Sequence, residues 1–339
     1  MPTPDPTALA ALPQIAPGAR FVPAERLAGA PHAVVDGPRL PGTVLALSHW
    51  RGSGTPRELA ADTSAAIVDR YLDAGAAGPA VDAVTNNHFD EDGLFGIWLA
   101  LERPPRGGAE RRLALAAAEA GDFGTWTDPD AARCALAAMA MAEPATTPLP
   151  AARAAVAGAG GRDPAGALYE AILPEVGPLL ADPERARALW EPRWRRVAAD
   201  LALLDAGEAT VAEEPAADVA VVRAPRPLAE LAVHPRTRCT RVLTATPDGV
   251  LVLRHRYETW VDYVSRPLAP RVDLAPLLPR LQTLEERPGT WRFEGVEPIM
   301  PRLFLAGDGG RLAPSSLGAD RLVAELARFL EEPAATGGG

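Results

Sequence analysis

Short apolar runs alternate with helical segments in the first third of the sequence, and this alternation limits the possible folds more than any other feature. The runs at 33–35, 43–47 and 80–84 each end in turn or polar residues, as buried strands do. Between the second and third runs, Thr55-Pro56 followed by apolar residues at helical spacing predicts a helix. A strand–helix–strand succession predicts βαβ units and therefore a parallel sheet, which we assign to residues 19–148.

The rest of the chain changes character twice. Residues 149–210 are rich in Ala, Leu and Arg at helical spacing and predict a helical middle segment. Residues 211–332 contain β-like runs, a hairpin turn and a final helix, which predict a smaller α+β C-terminal domain. The Pro- and Ala-rich residues 1–18 predict a flexible arm, and residues 333–339 a flexible tail. The expected fold class is α/β with these three parts in order.

Composition excludes several classes of function. All 34 basic residues are arginine, so the chain has no lysine for a Schiff base, a pyridoxal phosphate anchor or a phosphate-binding loop. The net charge of −10 argues against bulk nucleic-acid binding. No apolar run approaches the length of a membrane span, and the N-terminus lacks the basic region of a signal peptide, so we expect a cytoplasmic protein. Cys134 and Cys239 alone make no disulfide framework.

One segment carries recognisable chemistry. The two asparagines of the chain, Asn86 and Asn87, directly precede His88, and Asp90 and Asp92 follow at steps of two residues. On an extended segment, this spacing directs the imidazole and both carboxylates to one side. Such a set suits Mn²⁺, Mg²⁺ or Fe²⁺, and also Zn²⁺. His88, Asp90 and Asp92 therefore predict a catalytic divalent-metal site at the carboxyl end of a strand, where α/β proteins bind ligands.

Three other interpretations of this segment remain open. The carboxylates could form an acidic turn that caps the following helix. They could also belong to a structural metal or hydrogen-bond cluster. A calcium loop is the third alternative, because H-F-D-E-D-G approximates its pattern, but Leu99 stands where that loop needs a bidentate glutamate.

A strand that ends in H-x-D-x-D-G and continues into a helix resembles the first motif of the DHH phosphoesterase superfamily, over about residues 30–125. In those enzymes the His and both Asp bind a pair of Mn²⁺ ions and a further Asp follows. The resemblance implies Mn²⁺ as the favoured ion and Asp122, in Gly121-Asp122-Phe123-Gly124, as a further ligand. The Asp-His-His triplet that names the superfamily is absent. The N-N-H-F-D-E-D-G segment is also similar to that of an uncharacterised family from GC-rich bacteria, which implies no activity.

Further residues could complete the site. Asp36 and His49 each follow a predicted strand and are candidates for a second metal, with a plain turn residue as the alternative. Asn86 and Asn87 could orient a ligand or donate to a substrate. Arginines on the strand near residue 255 could clamp an anionic group, or form a solvated face with salt bridges. The predicted substrate-binding residues are Asn86, Asn87, Arg254, His255 and Arg256.

These features together predict a metal-dependent hydrolase that acts on a phosphoester or a similar small anionic substrate through metal-activated water. Two alternatives stay open. One is a DHH-like domain that binds a nucleotide or another anion without hydrolysing it. The other is a mononuclear Fe²⁺ or Mn²⁺ enzyme of specialised metabolism. A homodimer is an open expectation for the assembly.

Overall fold

The structure, a computed structural model, describes residues 9–160 and 163–332. Residues 1–8 of the predicted arm and the predicted tail at 333–339 therefore lie outside the described residues. The chain divides into two units. Unit 1 comprises Met1–Arg196 and Val261–Pro267, and unit 2 comprises Val197–Trp260 and Leu268–Gly339. This division differs from the predicted one, because most of the helical middle segment packs on the helices of unit 1.

The described residues of unit 1 form a parallel four-stranded sheet, which confirms the predicted α/β class. The strands β1 to β4 span Gln14–Phe21, His32–Val35, Thr43–Leu47 and Ala80–Thr85. Their order across the sheet is β1-β4-β2-β3. Every residue of β2 is buried, as expected for a strand covered on both faces. The carboxyl ends of β4, β2 and β3 therefore lie side by side at one edge of the sheet.

Several helices of unit 1 begin with a side-chain cap. Helices α1 to α7 span Ser64–Ala74, Glu91–Glu102, Ala109–Phe123, Pro129–Ala142, Pro150–Gly158, Ala165–Ala181 and Arg187–Asp205, the last crossing into unit 2. The Thr63 side chain accepts from Ala66 N at the start of α1, and Gly75 ends it in the left-handed conformation. The predicted helix start at Thr55-Pro56 is therefore wrong, because only a 3₁₀ turn follows Pro56.

The predicted flexible arm over residues 1–18 is also wrong for residues 14–18. They belong to β1, which pairs with β4 in parallel register. Ile15 is fully buried, and its N–H donates to Tyr71 Oη at 2.8 Å. A single apolar residue among prolines and alanines gave no alternation, so the local pattern did not reveal the strand.

Unit 2 is a mixed sheet covered by helices. Strands β5 to β10 span Thr210–Glu214, Val219–Arg223, Arg241–Ala245, Leu251–His255, Thr290–Phe293 and Arg302–Ala306, in the order β5-β6-β7-β8-β10-β9. Only β6 and β7 pair in parallel among the described strands of this sheet. Helices α8 to α10 span Glu230–Val233, Leu278–Leu284 and Gly318–Glu331. Leu243, Leu253 and Leu303 of the sheet pack with Leu322 and Leu326 of α10.

Among the described residues, none of the helices has the length and apolar character to cross a membrane.

Candidate metal centre

Six acidic and imidazole side chains converge at the carboxyl edge of the unit 1 sheet. Asp36 follows β2 and His49 follows β3, while His88, Asp90 and Asp92 follow β4. Asp122 joins them from the last turn of α3. The structure thus brings together the predicted ligands His88, Asp90, Asp92 and Asp122 with both candidates for a second metal.

Asp36 occupies the centre of this cluster. Its Oδ1 lies 3.4 Å from His49 Nε2 and its Oδ2 lies 3.3 Å from His88 Nε2. Oδ1 also accepts a hydrogen bond from Ser64 Oγ at 2.8 Å. The residue is fully buried and adopts a left-handed backbone with φ of 54°, a conformation that costs a non-glycine residue about 1–3 kcal/mol and is concentrated at functional sites.

The inner half of the cluster, which consists of His49, Asp92 and Asp122 together with Asp36, is closed to solvent. His49 Nε2 faces Asp36 Oδ1 at 3.4 Å, Asp92 Oδ2 at 3.7 Å and Asp122 Oδ2 at 3.5 Å. These distances match the roughly 3.4 Å between neighbouring ligands of a tetrahedral ion with bonds of about 2.1 Å. His49 Nδ1 lies 2.6 Å from the carbonyl oxygen of Asp62. Since Nδ1 must donate there, Nε2 is the nitrogen presented to the carboxylates.

The outer half, which consists of His88 and Asp90 together with Asp36, is partly open to solvent. His88 Nε2 lies 2.9 Å from Asp90 Oδ2 and 3.3 Å from Asp36 Oδ2. The side chains of His88 and Asp90 are 26% and 27% exposed, whereas those of Asp36 and His49 are at 0%. The ring of Trp50 packs beside His88 with centroids 4.8 Å apart. A molecule from solvent would therefore reach the cluster at its outer half.

Two helix N-termini fix the carboxylates. Asp92 accepts hydrogen bonds from Ser64 N at 2.6 Å and Ala65 N at 2.8 Å, in the first turn of α1. Asp90 caps α2 through Oδ1, which accepts from Gly93 N at 2.8 Å. The helix-capping alternative is thus realised for Asp90, while its Oδ2 turns to the cluster. The predicted extended segment is wrong at Asp92, because the cap turns the chain into α2 at Glu91.

Asp122 reaches the inner half because α3 approaches α2 closely. A Cβ at Gly121 would lie 2.4 Å from Glu91 Cβ, so only glycine allows this approach. The sequence resemblance named Asp122 as a ligand, and the structure places its Oδ2 in the buried interior. Neither this oxygen nor Asp36 Oδ2 has a hydrogen-bond partner within residues 9–160 and 163–332.

The two asparagines play different parts. Asn86 is buried, its Oδ1 accepts from Asn87 N at 2.6 Å, and its Nδ2 donates to Tyr169 Oη at 3.0 Å. These contacts shape the turn after β4, and the role of Asn86 in substrate binding stays a prediction. Asn87 is exposed, and its Oδ1 lies 3.2 Å from His88 Nδ1. Asn87 therefore orients the His88 ring at the open half.

Burial and neighbouring charge perturb the titration of the cluster. Burial and the charge of Asp36 raise the pKa of Asp92 to about 7, and burial with the neighbouring carboxylates raises the pKa of Asp122 well above its usual range. Burial lowers the pKa of His49, but Asp36 and Asp92 outweigh it and raise that pKa to about 9. Burial also lowers the pKa of His88, but Asp36 and Asp90 outweigh it and raise that pKa to about 10. Excess negative charge in a closed space is the common cause.

A divalent cation fits these residues. The side chains form two groups whose ligand atoms lie close enough to hold an ion, one of Asp36, His49 and Asp92, the other of Asp36, His88 and Asp90. Asp36 belongs to both groups. The two oxygens that lack hydrogen-bond partners are aimed into the cluster. A bound cation would displace the proton from each imidazole, and the four carboxylates would then carry the charge that two divalent cations balance.

The predicted anion clamp lies in unit 2, outside this cluster. Arg254 is half-exposed and its Nη1 lies 2.9 Å from Glu230 Oε1. Arg256 is buried, and its Nε lies 3.0 Å from Glu258 Oε1. Strand β8 ends at His255, so the two arginines do not share a strand face as predicted. Burial lowers the pKa of His255 to about 3, so this imidazole is neutral at pH 7.

Two supporting residues were missed in the sequence. Ser64 holds Asp36 through its hydroxyl and Asp92 through its N–H, and Asp62 holds His49. Asp62-Thr63-Ser64 before an apolar run is a helix start signal. That signal locates the helix, but it cannot indicate which distant carboxylates the helix start will hold.

Comparison with known proteins gives a family and no activity. The sequence model of one family, described as a family of unknown function (DUF6687), matches residues 18–336. No significant match was found among curated proteins or solved structures.

Proposed function

The chain belongs to the DUF6687 family of unknown function, and we propose that it is a metal-dependent hydrolase acting on a phosphoester or a similar small anionic substrate. The observation that carries the proposal is the position of Asp36, whose oxygens face two different imidazole nitrogens at 3.4 and 3.3 Å. A carboxylate so placed could supply a ligand oxygen to each of two cations, and two-metal sites are typical of phosphatases and nucleases.

The residues divide between two cations. His88, Asp90 and Asp36 would hold the outer cation, and His49, Asp92, Asp122 and Asp36 would hold the inner one. Imidazole with carboxylates favours Mn²⁺, with Mg²⁺, Fe²⁺ and Zn²⁺ as alternatives. When bound, such a pair acidifies a water and stabilises the negative charge that develops on a phosphoryl oxygen.

The chain's own side chains would admit and bind the substrate and keep bulk water out of the inner half. The partly exposed His88 and Asp90 mark the side from which a substrate enters. Asn87 accepts from His88 Nδ1 through Oδ1, so its exposed carboxamide can donate to a substrate oxygen through Nδ2. The buried inner half excludes bulk water, which strengthens every charge interaction there. Asp36 and His49 stay fixed through Ser64 Oγ and the carbonyl of Asp62.

The resemblance to the DHH superfamily supports the same class of reaction. Its motif residues and Asp122 all lie in the cluster. We include in the proposal that unit 1 has a DHH-like architecture. In this architecture, Asp36 and His49 take the place of the carboxylate and imidazole ligands that the Asp-His-His triplet, absent from this chain, would otherwise supply.

Metal analysis and a hydrolysis panel test the proposal with Asp90→Asn. Wild type should contain about two equivalents of Mn, Fe or Zn by mass spectrometry and hydrolyse a phosphodiester, pyrophosphate or both with Mn²⁺. Asp90→Asn should lose outer metal and turnover yet stay folded, because asparagine caps a helix as well as aspartate does. Asp82→Asn, at an exposed carboxylate on β4, is the matched control and should retain both.

The outcomes separate the alternatives. Full metal content and full turnover in Asp90→Asn would refute the assignment. One equivalent in wild type would favour the mononuclear enzyme, tested next by oxygen consumption with Fe²⁺. Two equivalents without turnover of any phosphoester, pyrophosphate or peptide would favour an anion-binding domain. No metal after incubation with Mn²⁺, Fe²⁺ and Zn²⁺ would remove the enzyme hypothesis.

A further inference from the structure

A short segment of the chain lies against the inner half of the cluster. Residues Val261–Pro267 belong to unit 1, although the chain on both sides belongs to unit 2. We refer to Val261–Pro267 as the strap. Asp262 N of the strap donates to the carbonyl oxygen of His49 at 2.7 Å. Tyr263 packs edge-on against Phe123, the residue after Asp122, with ring centroids 5.3 Å apart. The strap therefore contacts one inner ligand, His49, and the residue that follows another, Asp122.

Asp62 joins His49 to the strap through two different groups. Its carbonyl oxygen accepts from His49 Nδ1 at 2.6 Å. Its side-chain Oδ1 accepts from Val264 N at 2.8 Å and from Ser265 N at 2.9 Å. Asp62 directly precedes Thr63, the N-cap of α1, so the helix start fixes its place. His49 is thus held at its ring by Asp62 and at its main chain by a strap that Asp62 secures.

We propose that Asp62 is a positioning residue for the inner cation. Its carbonyl oxygen fixes the tautomer and orientation of the His49 ring, and its carboxylate holds the strap that donates to the His49 main chain. This inference rests on the proposed metal-dependent function. Partners that hydrogen-bond to a ligating histidine typically change metal affinity about 10- to 100-fold when they are removed. If the strap strengthens cation binding at His49, linkage requires that a bound cation stabilise the strap in turn.

Two Asp62 variants test this role by Mn²⁺ titration. Asp62→Ala removes the acceptor for both strap amides but keeps the carbonyl that accepts from His49 Nδ1. It should therefore weaken one of the two Mn²⁺ equivalents by about 10-fold, the lower end of the range for such partners, and leave the other unchanged. Asp62→Asn keeps an acceptor oxygen and should restore most of the affinity. Asp82→Asn serves again as the control at an exposed carboxylate. Affinities are measured by calorimetry and by the signal of free Mn²⁺ in electron paramagnetic resonance.

Hydrogen exchange of the wild-type protein gives a readout that needs no variant. Mn²⁺ should slow exchange at the amides of Asp262, Val264 and Ser265, which donate to His49 and Asp62. Two tight equivalents in wild type with unchanged affinities in Asp62→Ala would overturn the positioning role alone, as would strap amides insensitive to Mn²⁺. Absence of Mn²⁺ binding in wild type would instead overturn the proposed function and this inference together.

Discussion

Replacing Asp36 by asparagine should weaken both cations at once, whereas Asp90→Asn should weaken only the outer one. Asp36 is the residue whose two oxygens face His49 and His88 separately. Asparagine keeps the size of the side chain and tolerates the left-handed backbone of φ 54° found at this position. The substitution therefore removes the negative charge and one of the two ligand oxygens with little cost to the fold.

The magnitude follows from linkage between binding and folding. Removing a partner of a ligand already costs about 10- to 100-fold in affinity. In Asp36→Asn one cation loses a ligand oxygen and the other keeps an uncharged one, so we expect a loss of about 100-fold at each cation. A cation at a free concentration of about 1,000 times its Kd stabilises the folded state by about 4.1 kcal/mol. After a 100-fold loss of affinity, the same concentration stabilises it by about 1.4 kcal/mol. The loss is about 2.7 kcal/mol per cation, so about 5.4 kcal/mol for Asp36→Asn and half of that for Asp90→Asn.

Scanning calorimetry measures this difference. At roughly 2–4 °C per kcal/mol for a domain of 150–250 residues, the rise in Tm that Mn²⁺ produces should shrink by about 11–22 °C in Asp36→Asn and about 5–11 °C in Asp90→Asn. Asp82→Asn should match wild type. If the Mn²⁺-induced rise in Tm shrank equally in the Asp36 and Asp90 variants, Asp36 would not be a ligand of both cations, and the assignment of Asp36 to both groups would be refuted.

Three further predictions concern the metal-free protein and the turn after β4. The pKa values of His49 and His88 are raised to about 9 and 10, so their protonation stabilises the folded state fully below about pH 6.5. That stabilisation is lost as the pH rises through 9–10. The free energy of unfolding, measured by denaturation in the presence of chelator, should therefore be lower at about pH 10 than at about pH 6.5. Tyr169→Phe leaves Asn86 Nδ2 buried without its acceptor and should cost about 1–3 kcal/mol in urea denaturation; an unchanged midpoint would contradict the contact. Gly93→Ala places a Cβ 2.3 Å from Tyr169 Oη and should cost about 1–3 kcal/mol by the same assay, together with weaker Mn²⁺ binding.

Local sequence patterns determined the elements that carry the site. Strand β3 was predicted at the residues where it occurs, Thr43–Leu47, because a buried strand is a continuous apolar run bounded by turn residues. Strand β4 and helix α2 were visible for the same reason, and the H-x-D-x-D-G motif runs from the turn after β4 into the first turn of α2. The pairing of His88 with Asp90 is also local, since a cap residue two positions after a histidine stays within reach of its ring.

Tertiary structure alone decided how the cluster is completed. Asp36, His49 and Asp122 are far apart in sequence and meet because the strand order β4-β2-β3 sets two parallel carboxyl ends beside the motif and a glycine lets α3 approach α2. The roles of Asn86 and Asp62 were hidden likewise, because their partners come from other elements. Periodicity records which face of an element is buried, whereas the packing of whole elements decides which side chains share that buried space, and packing depends on the entire chain.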